Sequence, residues 1–268
     1  MAKSNTPSIT LSKKKLVLLD IFEHCRKKNS YTFDNDFVGE ISKKHEFGNL
    51  FDVTKTDNSS ILPDEIIKQN YCIIHLGKGK HRFIKAAQIC FHDFEKIDNK
   101  EIPWKYHKSA LNEIDTSESN ILSVGFNQRI VHDFLYDDIV ANPKMYGSRR
   151  TRSDLHYKIG KEEIHTTKLQ MEIDLVTEYL GVVTVFEGKN NFPDNFAVYQ
   201  LFHPYLYFHH LRQIGKIKVE DINCCYLLRN RSVDGESTIR LYLYTFEDPM
   251  KMDSIRLIKC SQYKLITR

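Results

Sequence analysis

No apolar run in the chain approaches the roughly 20 residues that a membrane-spanning helix needs. The opening, MAKSNTPSITLSKKKL, has no apolar core after its basic residues. No membrane span and no secretion signal are therefore expected, and a cytoplasmic location is. The six cysteines, Cys25, Cys72, Cys90, Cys224, Cys225 and Cys260, include no C-x-x-C pair. That spacing argues against an ordinary zinc site, and the six read as reduced, mostly buried thiols. A large excess of one charge is missing as well. The 39 Lys and Arg against 35 Asp and Glu leave a net charge of +4, which permits a nucleic-acid partner without demanding one. There is no internal repeat or low-complexity tract. GKGK at 77–80 is no P-loop, because the spacing before its lysine is wrong and no Ser or Thr follows.

What remains is an ordinary globular composition, 41% hydrophobic and 28% charged over 268 residues. LSKKKLVLLDIFEHCRKK (11–28) reads as an amphipathic helix with Thr10 as a cap, and ILPDEIIKQN (61–70) as a short helix with Pro63 at its start. YCIIHLGKGKHRFIKAAQICF (71–91) alternates and turns at Gly77–Gly79. It predicts a β-hairpin with a basic tip of Lys78, Lys80, His81 and Arg82, like the wing of a winged helix. The polar, acidic NEIDTSESN (112–120) predicts a linker between an N-terminal DNA-recognition region, 1–111, and a core, 121–268. FNQRIVHDFLYDDIV reads as a helix and NPKMYGSRRTRSDLHY as a basic loop. Thereafter the order is β-β-α-β-β-β, with Asp234-Gly235 as a hairpin turn, so a mixed sheet with at least one helix across a face is expected.

The chemistry concentrates in two of these strands. GVVTVFEGKNN (181–191) ends with Glu187 and Lys189, two residues apart and hence on one face. The preceding LQMEIDLV carries Gln170, Glu172 and Asp174 at alternate positions. If the two pair as a hairpin, a two-residue loop at Leu180-Gly181 sets Asp174 across from Glu187. A four-residue loop at 178–181 sets Glu172 there instead. Both registers hold Glu172, Asp174, Glu187 and Lys189 on one face. Clustered carboxylates repel one another and take up protons unless something positive offsets them. Lys189 neutralises one, and a hard divalent cation with oxygen ligands would neutralise the rest. Such an ion beside a lysine has the parts for metal-assisted phosphodiester hydrolysis.

With its context, QMEIDLVTEYLGVVTVFEGKNNFPDNFAVYQLFHPY, this constellation resembles the PD-(D/E)XK nuclease superfamily, and type II restriction endonucleases more than resolvases. Asp174 matches the family's aspartate, Glu187-Gly188-Lys189 its acid-x-lysine, and Gln200 a glutamine on the helix that follows. Ile173 stands where the motif has proline, and Glu172 is an additional acid. The resemblance covers 157–211. It implies a mixed central β-sheet flanked by helices and magnesium-dependent, sequence-specific cleavage of double-stranded DNA. By the same implication Asp174 and Glu187 hold Mg2+, Glu172 assists, Lys189 positions the nucleophilic water and Gln200 orients Lys189 or a phosphate. It further implies a homodimer and a separately made DNA methyltransferase. Arg149, Arg150 and Arg152 in GSRRTRSD, with Lys78, Lys80 and Arg82, are the expected DNA contacts. Asp154 ranks below Asp174 as a metal ligand, and His203, His209 and His210 are read as packing or DNA contacts, with Pro204 breaking or kinking their helix.

Overall fold

The structure is a computed structural model describing residues 11–98, 100–107, 109–110, 118–231 and 237–267. The chain divides into two compact units, 1–88 and 89–268. Residues 112–117 of the expected linker lie outside the described residues, as do Thr10 and the Asp234-Gly235 turn, whereas residues 118–120 open a helix.

In the first unit, α1 (Lys13–Lys28) starts at Ser12, whose side chain accepts a hydrogen bond from the Lys15 N–H, and stops at Asn29 in the left-handed region (φ 49°). Its last turn carries Arg26, Lys27 and Lys28, which complement the helix dipole. Val17, Leu18, Ile21, Phe22 and Cys25 form its buried face. There follow β1 (Thr32–Asp34), α2 (Asn35–Lys44), the short α3 (Leu50–Val53) and α4 (Asp64–Lys68), and the hairpin β2 (Cys72–Gly77) and β3 (Lys80–Ile84). The sheet order is β1-β3-β2, antiparallel throughout. The hairpin turns through Gly77, Lys78 and Gly79, all at positive φ, and a Cβ on Gly79 would come within 2.8 Å of the Asn35 amide. Lys78 and Lys80 are exposed and Arg82 is half-buried, while His81 is buried. AAQIC, read as hairpin from the sequence, instead forms the helical turn α5 (Ala87–Cys90).

The second unit is mixed α/β. Its elements are β4 (Phe91–Asp93), β5 (Ile102–Tyr106), α6 (Glu118–Asn127), α7 (Ile130–Tyr136), β6 (Lys144–Tyr146), β7 (Arg149–Ser153), β8 (His156–Ile159), β9 (Glu162–His165), β10 (Leu169–Ile173), β11 (Leu175–Tyr179), β12 (Val182–Lys189), β13 (Asn195–Ala197), α8 (Tyr199–Gln213), β14 (Asp221–Arg231), β15 (Ser237–Phe246) and β16 (Ile255–Thr267). Seven strands form the central sheet in the order β5-β16-β15-β14-β12-β11-β6. Most pairs are antiparallel; β12 runs parallel to β14 across the α8 crossover, and β16 runs parallel to β5. β5 carries Pro103 on an edge, where a missing N–H costs no internal ladder bond.

Strand alternation sorts the two faces of this sheet. Phe186, Cys225, Leu227, Leu241 and Leu243 form one core with Ile121, Leu122, Val124, Ile130, Val131 and Phe134 of α6 and α7. Gly125 lets α6 approach closely, since a Cβ there would lie 2.8 Å from Leu227 Cδ1. The residues between them, Glu187, Cys224 and Tyr226, face the other side, where α8 packs on β12 and β14. Cys25, Cys224, Cys225 and Cys260 are free thiols, and burial pushes the Cys224 and Cys225 thiols up.

Candidate active site

The hairpin that carries the candidate residues turns through Leu180 (φ 47°) and Gly181 (φ 80°), the two positive φ values of a tight two-residue turn. Tyr179 pairs with Val182 and Leu175 with Phe186, so Asp174, at the bend just before β11, and Glu187 are the residues next beyond the last pair of the ladder. Of the two registers open from the sequence, this is the shorter loop. The Gly188 N–H donates to Asp174 Oδ2 at 3.2 Å, which ties the aspartate to the facing strand. Lys189 lies two residues beyond Glu187, and its Nζ stands 2.9 Å from Glu187 Oε1.

Glu187 and Lys189 are 9% and 8% exposed, so this is no solvent-facing charge patch. Taking two charges out of water is expensive, and apolar residues of the same volume would usually be as stable there. The carboxylate is further held from α8. Gln200 Nε2 donates to Glu187 Oε1 at 2.9 Å, and Tyr226 Oη donates to Gln200 Oε1 at 3.2 Å. Tyr226 fixes which end of the Gln200 amide faces the glutamate, because its hydroxyl occupies the carbonyl oxygen. Tyr226 lies beside Glu187 in the parallel register of β12 and β14. Phe94 and Phe196 pack on it at ring-centroid distances of 5.1 Å and 4.8 Å, giving the site an apolar wall.

Glu172 is placed differently from the hairpin expectation. The chain bends at Asp174, and the residues before it form β10, which pairs with β7 rather than with β12. Glu172 is exposed, faces Arg150 across that pair and accepts from its Nε at 2.6 Å. The arginine run read as a loop is thus the strand β7. Arg152 donates to Gln170 Oε1, and Arg149 reaches the Tyr207 hydroxyl at 3.4 Å. All three arginines remain largely solvent-accessible. Asp154 accepts from the Lys168 N–H at 2.6 Å, a turn contact. Of the expected break or kink at Pro204, the break does not occur: α8 continues through it, although the proline ring removes the donor for the Gln200 carbonyl. His203 is buried against the Tyr157 hydroxyl at 2.9 Å, and His209 against Arg212 at 3.3 Å, so both serve packing.

Three features had no sequence signal. Tyr226 is visible only once β14 is set parallel to β12. Arg240 lies on the same sheet row as Lys189, through Leu228, with its guanidinium 4.1 Å from the Phe192 ring centroid. Glu95 accepts from the Tyr244 hydroxyl at 2.7 Å and bonds His92 at 3.0 Å. Burial opposes ionisation of Glu95, but the bonds from His92 and Tyr244 outweigh it and hold the carboxyl below its ordinary range.

The oxygen donors of Asp174 and Glu187 are hard ligands, suited to magnesium rather than to a thiophilic ion. With Lys189 counted, the three formal charges sum to one negative charge, and a divalent cation would turn that to one positive charge, open to an anionic group.

Comparison with family models gives two matches. A domain of unknown function (DUF6996) matches residues 13–83, within the first compact unit, and a domain of unknown function (DUF6997) matches residues 86–264. No curated protein and no solved structure matches the chain. Because the second match spans well over half of the 268 residues, the chain belongs to the DUF6997 family.

Proposed function

We propose that this chain is a magnesium-dependent nuclease of the PD-(D/E)XK type that hydrolyses phosphodiester bonds in double-stranded DNA, acting as a type II restriction endonuclease. One observation carries the reading. An aspartate just before one hairpin strand is bonded to the facing strand beside a glutamate, a lysine shares the glutamate's strand face, and a glutamine on the helix behind bonds the glutamate. A mixed sheet flanked by helices is the setting that the resemblance calls for.

In this reading Asp174 and Glu187 hold the ion, Asp174 oriented by the Gly188 N–H and Glu187 by Gln200 and Lys189. Bound Mg2+ supplies polarisation of a phosphoryl oxygen and a lowered pKa for its water. The Lys189 ammonium orients the attacking water and stabilises negative charge building on the phosphate. Tyr226 keeps Gln200, and through it Glu187, in place. Glu172 is engaged by Arg150 and takes no part in metal binding. The exposed arginines of β7 contact phosphates or guanine edges. The first unit contributes recognition through its basic hairpin tip, Lys78 and Lys80, with Arg82 behind it. Cutting both strands of a palindrome asks for two such sites, hence a homodimer, and a separate methyltransferase to protect cellular DNA.

Purified chain is incubated with unmethylated phage DNA, with magnesium or with a chelator, and run on a gel. Discrete magnesium-dependent bands are expected, and sequencing their ends gives the recognition site. A smear would point instead to a structure- or mismatch-directed repair nuclease. DNA shifted on a native gel but left uncut on several unmethylated genomes would mean a non-catalytic DNA-binding protein.

A further inference from the structure

Remote in role from the carboxylate pair, a second cluster sits on the hairpin of β8 and β9. Ile159 pairs with Glu162 across the two-residue turn at Gly160-Lys161, so Lys158 faces Glu163 and His156 faces His165. The inner face of the hairpin is anchored: Tyr157, Ile159 and Ile164 are each 1% exposed, and Tyr157 is hydrogen-bonded to His203. Alternation then presents His156, Lys158, Glu163 and His165 together on the solvent side. The two imidazoles lie parallel, with ring centroids 4.1 Å apart and planes 14° from one another. One ligand atom each from His156, Glu163 and His165 falls within 4.8 Å of the other two.

We infer that His156, His165 and Glu163 form a binding site for a divalent transition-metal ion of the zinc, cobalt or nickel kind. Two imidazoles and one carboxylate are the donor set that borderline ions prefer and that magnesium does not. With metal–ligand bonds of about 2.0–2.1 Å, tetrahedral ligand atoms stand about 3.3 Å apart. The three side chains therefore close by no more than about 1.5 Å, which small rotations of exposed side chains provide. The anchored backbone keeps the two histidines opposite one another while they do so. Lys158 competes for the site, since its Nζ stands 3.4 Å from Glu163 Oε1. Three protein ligands leave a coordination position open, so the ion can also take a water or an anionic group of a partner.

The test uses the full chain without an affinity tag, titrated with Zn2+ by calorimetry and with Co2+ by its visible absorption. One ion per chain is expected at this site. His156→Ala and His165→Ala each weaken it at least tenfold, Lys158→Gln tightens it, and Glu187→Gln leaves it in place. Equal affinity in the wild type and in His165→Ala overturns the assignment, as does an ion lost in Glu187→Gln but kept in His165→Ala. Absence of any bound Zn2+ overturns it equally.

Discussion

Replacing Lys189 by methionine keeps the length and most of the volume of the side chain but removes the charge that sits 2.9 Å from Glu187. Both side chains are about nine-tenths withdrawn from solvent, at 10% and 12% exposure. Removing one partner of a buried pair leaves the other charge uncompensated and costs roughly 3–5 kcal/mol. Gln200 still donates to Glu187, so the lower end, about 3 kcal/mol, is expected. Making Glu187→Gln in the same chain removes the orphaned charge. Replacing a whole buried pair by neutral groups is often neutral or stabilising, so the double variant should recover most of the loss. Urea denaturation of the four chains of the cycle gives the coupling directly. Magnesium supplies a second signature. Lys189→Met removes one positive charge from beside the two carboxylates, so Mg2+ should stabilise it more than it stabilises the wild type. DNA cleavage should nevertheless fall by at least about 10²-fold, and DNA binding should persist. Single substitutions that add to within about 0.5 kcal/mol in the double variant would refute the buried coupling. Binding lost in parallel with cleavage would refute the chemical role of Lys189.

Two further outcomes follow from the packing. His75 Nδ1 lies 2.9 Å from His81 Nδ1, and His81 Nε2 lies 2.8 Å from Asn35 Oδ1. If His81 donates to Asn35, its Nδ1 must accept from His75 while both rings stay neutral. Burial lowers His75 to about 4, and burial together with its neighbour His75 lowers His81 to about 3, against an ordinary value of 6.5. The unfolded chain therefore takes up protons near pH 6.5 that the folded chain refuses. Stability of the first unit is full above 6.5 and falls as pH drops towards 4, by a few kcal/mol. Urea midpoints at pH 7.5 and 5 should diverge in the wild type and less so in His75→Gln, and equal divergence in both would discount the pair. In the second unit, Gly125→Ala brings a Cβ within 2.8 Å of Leu227 Cδ1 and 3.1 Å of Val131 Cγ2. Overpacking of this kind costs about 1–3 kcal/mol and outweighs the roughly 1 kcal/mol gained in helix propensity, so calorimetry should show a lower Tm; a raised Tm would mean that α6 moves aside without loss.

The part of the site legible in the sequence is the part fixed by local geometry. The two-residue spacing of Glu187 and Lys189 and the short connection at Leu180-Gly181 determine who faces whom, because side chains alternate with period two. Glu172 departs from the hairpin expectation because the same alternation continues through Asp174 in sequence, whereas the backbone bends there and changes partner. β7 reads as a loop in sequence because it has no apolar residue to alternate; facing polar partners, Glu172 and Gln170, accompany its ladder. Tyr226 and Arg240 depend on long-range strand pairing, for which a single sequence holds no local sign. The polar, acidic stretch 112–120 predicts the boundary between the units, yet residues 91–106 supply β4 and β5 to the second unit. Short strands such as IPWKY, with a proline inside, carry too little pattern to be seen.

The mixture of antiparallel and parallel pairing has a consequence for the order in which the chain assembles. β11 and β12 meet through a two-residue turn, so Asp174, Glu187 and Lys189 come together on the time scale of hairpin closure, microseconds. β14 can join β12 only after the whole crossover from Lys189 to Asp221 has folded back with α8, a far less local event. The charged trio thus forms before Gln200 and Tyr226 arrive to hold it. In its first moments it is the wet open end of a hairpin, and it becomes a buried site only when β14 is laid parallel beside β12.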